Sequence, residues 1–305
     1  MVAAASAEVL LLTCSMARDR ELFALLARSV DEHLGTYRHR VVVPARDIAA
    51  FRPYQNSRRE LVAQEDVLPF RVTTIPASPL LGRWIKPLRR PLYIDRGMRV
   101  VRGWVLQQLL KIESAKTASE AAVLHVDSDT FFVRHMPPEA VVTGAGIRFF
   151  RASGTPSNPS HQTWVDASSR TLGLQPSKIE DAHYIENCVP WSRDVAREMV
   201  EHIQTTHGVP WYEVLVKERS FSEYYLYGHY VDRFRGRAGL HATDRPLCTS
   251  VWPQTGEETE AAVEAARQRM ALATTFALAI QSTEAVSPNA RGLIYQSTLE
   301  SVQHR

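Results

Sequence analysis

The chain has 305 residues, of which 45% are apolar and 23% charged, with a formal net charge of +3. This is an ordinary globular composition, long enough for one large α/β domain or two small ones around a buried core. So small a charge gives no reason to expect nucleic acid as a partner, and nowhere do about 18 apolar residues run together, so no membrane span is expected.

The apolar N-terminal stretch has no positive charge before it and is broken by Glu8, so it reads as a buried first strand over 8–13 rather than a leader. A helix from Ser15 follows, with Ser15 as its cap and Leu22, Leu25, Leu26, Ser29 and Val30 at helical spacing. Strands are predicted over 40–43 and 71–75, each ended by a proline. Residues 78–91 are irregular and basic around Trp84; contact with phosphate or acceptor and a solvated loop both fit. A strong helix is predicted over 96–114, a continuous apolar strand over 121–126, another strand over 147–151, and a Gly/Pro/Ser/Asn-rich loop over 153–159. The second half is more helical, with helices over 192–206, 211–216, 221–234 and 257–271 and a late strand over 274–280. This rhythm predicts an α/β fold with a mostly parallel, Rossmann-type sheet flanked by helices. Residues 1–150 read as a nucleotide-binding half and 151–305 as an acceptor-shaping half of the same unit. Cys14, Cys188 and Cys248 are far apart and form no CxxC pair, which suits reduced, buried thiols and a cytoplasmic home.

The segment that carries chemistry is Ala122-Val123-Leu124-His125-Val126-Asp127-Ser128-Asp129. A buried strand runs straight into two carboxylates at i and i+2, which face the same way if the extended geometry persists. They stand at the carboxyl end of a parallel strand, where open α/β sheets bind ligands. Two close carboxylates repel each other unless a cation shares them, and Mg²⁺ or Mn²⁺ takes such oxygen ligands while keeping positions for phosphate. The plain alternative is an Asx turn after a strand. On the helix before it, Trp104, Gln108 and Lys111 fall on one face. Gln107 and Gln108 sit among apolar residues, so at least one needs a polar partner, and Lys111 is a candidate phosphate contact.

Leu10 to Ser15, the helix from Trp104 to Lys111 and His125 to Asp129 together resemble the GT-A fold of nucleotide-sugar glycosyltransferases. Gly103-Trp104-Val105-Leu106-Gln107-Gln108 and Ser222-Glu223-Tyr224-Tyr225-Leu226-Tyr227-Gly228 are similar to segments of poorly characterised bacterial members. The resemblance covers about residues 8 to 235. It implies a metal-dependent transfer of sugar from a nucleoside diphosphate, expected to be UDP, to a hydroxyl of a small natural product or saccharide. It places the nucleotide at the turn after the first strand, with Thr13, Ser15, Arg18 and Asp19 as base and ribose contacts and the backbone of Ser128 at the ribose. Asp127 and Asp129 hold Mn²⁺ or Mg²⁺, and such enzymes often add a late His, for which His241 is the candidate. Gln281 stands at another place where such enzymes carry that His, a departure from the family's pattern.

Glu223 is the candidate general base, removing the proton of the acceptor hydroxyl, with Asp232 and Asp181 as substitutes. The aromatic stretch around it offers Ser222, Tyr224 and Tyr227 to an acceptor, and Trp191 as a stacking surface; inward packing is the plain alternative for each. A haloacid-dehalogenase-type phosphatase also uses Asp-x-Asp after an apolar strand, but near the N-terminus and with Thr or Val where Phe131 stands here. A nucleotidyltransferase needs a Gly-rich loop after the first strand, and Thr13 to Ala17 has no glycine. A sugar- or nucleotide-binding protein without turnover is the remaining alternative.

Overall fold

The computed structural model describes residues 9–75, 92–95, 97–154, 160–175, 182–218, 220–251, 259–270, 274–281 and 286–303. Apart from helices of a single turn, the first half runs β1 (Val9–Cys14), α1 (Arg20–His33), β2 (Arg38–Val43), β3 (Arg59–Ala63), β4 (Val72–Ile75), β5 (Leu92–Asp95), β6 (Val100–Val101), α2 (Gly103–Thr117), β7 (Ala122–Val126), β8 (Thr130–Phe132), β9 (Val142–Thr143) and β10 (Gly146–Phe150). Then follow β11 (Ala152–Ser153), α3 (Ser160–Thr171), β12 (Ala182–His183), β13 (Cys188–Ser192), α4 (Arg193–His207), α5 (Trp211–Leu215), α6 (Glu223–Tyr230), β14 (Leu240–Thr243), β15 (Cys248–Val251), α7 (Thr259–Arg269), β16 (Ala277–Ile280) and α8 (Pro288–Gln303).

The fold is mixed α/β. Its main sheet has the order β13-β7-β1-β2-β3, all parallel except β13, which runs antiparallel to β7. β1 is buried along its whole length, so it needs no polar alternation, and its side chains divide by the period of two. Leu10, Leu12 and Cys14 join one core cluster with α2, while Val9 and Leu11 join the other with α1. The α2 cluster also holds Trp191, Val195 and Leu226, so residues before and after 150 share one core. Each such fully buried aliphatic side chain contributes about 1.5–3 kcal/mol. A second sheet, β15-β16-β8, starts where β7 stops. Ser29 of α1 ties the two together, its Oγ accepting from the Phe132 N–H at 3.0 Å.

Some elements depart from the sequence reading for identifiable reasons. α1 begins at Arg20, after a single 3-10 turn, and Ser15 does not cap it. α2 begins at Gly103 instead of 96, because Asp95 captures the backbone N–H and the Nε of Arg99 at 2.8 and 2.7 Å and closes a β5–β6 hairpin. β3 hides behind Arg59 and Glu60. Arg59 is nonetheless buried, held by Asp31, His39 and the carbonyls of Ala27 and Tyr54. α3, β14, β15 and α8 were not expected; α3 is polar along most of its length. The basic segment 78–91 and Asp181 lie outside the described residues.

α6 is buried on every side and continues into a π-turn at Val231–Arg235. Gly228 packs so closely that a Cβ there would stand 2.2 Å from the Tyr184 ring. Asp232 accepts from Arg151, Arg237 and Tyr184 and is fully engaged by them. No helix among the described residues is long and apolar enough to cross a membrane.

Candidate functional site

The main sheet and the second sheet fork at Asp127-Ser128-Asp129. The extended geometry does not persist there: residues 128–129 form a turn, closed by the Thr130 N–H donating to the Asp127 carbonyl at 3.2 Å. Ser128 Oγ donates to Ser15 Oγ at 2.8 Å, which joins this turn to the one after β1. Ile280 N–H donates to the Asp129 carbonyl at 3.1 Å, so the end of β16 braces the same turn from the other side.

Beside Asp127 lies a buried charge cluster. Lys111 Nζ is 3.1 Å from Asp127 Oδ1, 3.0 Å from Glu223 Oε1 and 3.0 Å from the Tyr224 hydroxyl, and lies over the Tyr224 ring. Burial pulls the Lys111 pKa down, but the two carboxylates outweigh it and hold the ammonium well above its ordinary range. Glu223, only 2% exposed, is raised as well: desolvation lifts its pKa, Lys111 only partly offsets this, and the Asp127 charge adds to the rise. His125 on β7 is fully buried with its ring 4.7 Å from Trp191, and desolvation and the Lys111 charge hold it neutral.

These positions correct several expectations. Lys111 faces two carboxylates and not an open phosphate site. Glu223 faces Lys111 and not an acceptor. The aromatic stretch is core, because α6 has no polar face: Tyr224 bonds Lys111, the Tyr227 hydroxyl accepts from Ser192 N–H at 2.9 Å, and Ser222 caps α6 through the Tyr225 N–H. Trp191 is stacked on Tyr227, with centroids 4.4 Å apart, and is buried. Thr13 is buried with its hydroxyl on His39 at 3.0 Å. His241 sits on β14, with Nδ1 at 3.1 Å from Thr143 Oγ1. Among the described residues, no group of three or more His, Cys, Asp or Glu could hold a metal ion, so His241 does not complete a cluster with Asp127 and Asp129.

Four candidates do come together. Ser15, Arg18, Asp19 and Gln107 line one small cleft of about 70 Å³ with Gly103, Gln64 and Tyr93. Arg18 is largely exposed and paired with Asp19 at 3.3 Å. Gln107 precedes Lys111 by four residues, so one face of α2 runs from the cleft to the charge cluster. Gln108 turns inward, and its Oε1 has no hydrogen-bond partner among the described residues. Trp104 points outward, 40% exposed, with its ring 5.9 Å from Trp164.

The sequence reading missed Glu186. It precedes β13 and accepts at Oε1 from Ser250 Oγ and from the Asn187 N–H, both at 2.9 Å. It is partly exposed, yet desolvation by the surrounding protein pushes its pKa up to about 7. The available signal was an acidic and an amide residue together, just before a short strand of apolar residues.

A search of curated proteins finds no match. Among solved structures, the chain is similar to a crystal structure of the galactosyltransferase LgtC in complex with donor and acceptor sugar analogs, with 10% identity and a TM-score of 0.46 over 94% of this chain and 95% of that one. It is also similar to an active-site mutant of LgtC, with 10% identity and a TM-score of 0.43 over the same shares. A model of the family described as "Family of unknown function (DUF6492)" matches residues 9–290, and the chain belongs to that family.

Proposed function

We propose that the chain transfers a sugar from a nucleoside diphosphate sugar, with UDP as the nucleotide, to an acceptor hydroxyl. The observation that carries this reading is the Ser128–Ser15 hydrogen bond of 2.8 Å. It couples two carboxylates at the carboxyl edge of a parallel sheet to a polar cleft at the turn after β1, the edge where α/β sheets receive nucleotides. Ser15, Arg18, Asp19 and Gln107 take the nucleoside, and Asp127 and Asp129 hold a divalent cation.

The donor set fits such a cation. Two hard carboxylates stand on one turn, Asp127 is 31% exposed, and its Oδ1 lies beside Lys111 without an aligned hydrogen bond. Mg²⁺ and Mn²⁺ are commonly held by one or two carboxylates, with phosphate oxygens and water filling the remaining positions. When bound, the metal neutralises charge on the departing diphosphate. Lys111 and Glu223 fix the orientation of Asp127. Trp104 and Trp164 replace the buried α6 tyrosines as the aromatic surface for an acceptor.

A thermal-shift screen of UDP-glucose, UDP-galactose and UDP-N-acetylglucosamine with and without Mn²⁺ tests this. One donor should stabilise the wild type only with the metal, as mass action requires. Asp127→Asn and Asp129→Asn should each lose that increment, and either variant keeping it in full removes the metal assignment.

A further inference from the structure

The Asp-Ser-Asp turn stands between two arms. On one, Cys188 of β13 lies opposite Val126 of β7 in the last pair of that ladder, so Glu186 and Asn187 just before β13 lie at the end of β7 where the turn begins. On the other, Thr130, Ala279 and Ser250 lie in one row across β8, β16 and β15. Side chains join the arms. Ser250 Oγ donates to Glu186 Oε1 at 2.9 Å, and Asn187 Nδ2 donates to Ser250 Oγ at 2.7 Å. The Asn187 N–H also ends on Oε1, so neither bond to the carboxylate uses Oε2. The buried Cys248 thiol feels the charges of both Glu186 and Asp129, which puts the two carboxylates within electrostatic reach of one atom.

Resting on the glycosyl-transfer reading, we propose that Glu186, not Glu223, accepts the proton of the attacking hydroxyl. Glu223 is sealed and its Oε1 is pinned to Lys111. Glu186 is partly exposed beside the Asp-Ser-Asp turn, and its hydrogen bonds from Ser250 and Asn187 among the described residues both end on Oε1. As the acceptor oxygen bonds to the anomeric carbon, its proton passes to Glu186 Oε2. The bond from that carbon to the diphosphate oxygen breaks, and its electron pair leaves with the diphosphate. Glu186 later returns the proton to solvent. Its raised pKa, about 7, suits a base working near neutrality.

Glu186→Gln tests this, because an amide oxygen can still accept from Ser250 and Asn187, so the fork stays tied; an unchanged melting temperature checks that. UDP release from the same three UDP-sugars with Mn²⁺ is measured with water as acceptor, then with azide, an anion that needs no base. The variant should bind donor as the wild type does, release UDP to water about 10²–10⁴-fold more slowly, and recover with azide, forming a glycosyl azide. Ser250→Ala, which loosens the tie but keeps the carboxylate, should show no azide rescue. Wild-type rates in Glu186→Gln, or a loss that azide leaves untouched, overturn this role alone. A wild type that neither binds nor consumes any of the three donors overturns the glycosyl-transfer reading, and this role with it.

Discussion

α2 passes through two different environments within one turn. At Gln107 it borders an open cleft lined by the exposed Arg18 and its half-buried partner Asp19. At Lys111 it is sealed among Asp127, Glu223 and Tyr224. The open end has groups free to rearrange around a ligand, whereas at the sealed end Lys111 is already committed to two carboxylates and a tyrosine hydroxyl. A polar residue on this helix therefore acts on ligand affinity at one end and on fold stability at the other.

The largest expected effect lies at the sealed end. Lys111→Met leaves Glu223 buried without its cation and should cost about 3–5 kcal/mol of unfolding free energy, read by urea denaturation. A loss below about 1 kcal/mol would show that the cluster is open to water. Glu223→Gln keeps the shape and removes one charge; about 1–3 kcal/mol is expected, with donor affinity near wild type. At the open end, Gln107→Ala should leave stability within about 0.5 kcal/mol and weaken donor binding about 5–10-fold, the worth of one hydrogen bond. An affinity unchanged by calorimetry would separate the cleft from the ligand.

The smallest effect is a pH slope. His39 and His125 are buried and neutral, held well below their ordinary 6.5 by desolvation, with Arg59 and Lys111 adding to it. The unfolded chain binds their protons first, so stability is full above about pH 6.5 and falls as the pH drops below it. Glu186 acts in the opposite sense. Its pKa of about 7 against an ordinary 4.5 makes the folded state the better proton holder between those values, so its contribution falls as pH rises through that window. Melting curves of wild type and Glu186→Gln should diverge as the pH climbs from 4.5 to 7.

The framework was legible because β1 and β7 are continuous apolar runs and α1 repeats at helical spacing. The cleft was partly legible: a turn after the first strand of a parallel sheet has few places to point, and Ser15, Arg18 and Asp19 share it. The α6 region was misread although its signal was present. A helix with aromatic or apolar residues on nearly every side is a core helix, and a lone Lys111 on an apolar helix calls for a buried carboxylate partner. Glu186 had only a weak local signal, an acidic and an amide residue before a short strand. Its setting depends on β13, β8, β15 and β16 meeting at one turn, a long-range arrangement that no window of sequence contains.

Gly228 closes the segment that runs from Ser222, and its reason is steric. Tyr184 lies against it so tightly that a single methyl would collide with the ring, and Tyr184 stands two residues before Glu186. Alanine at 228 would push on Tyr184 and, through it, on the chain that carries Glu186. Any lineage that keeps the tyrosine must therefore keep the glycine, or change both in one step, so that an uncharged position sets a limit on how this protein can evolve.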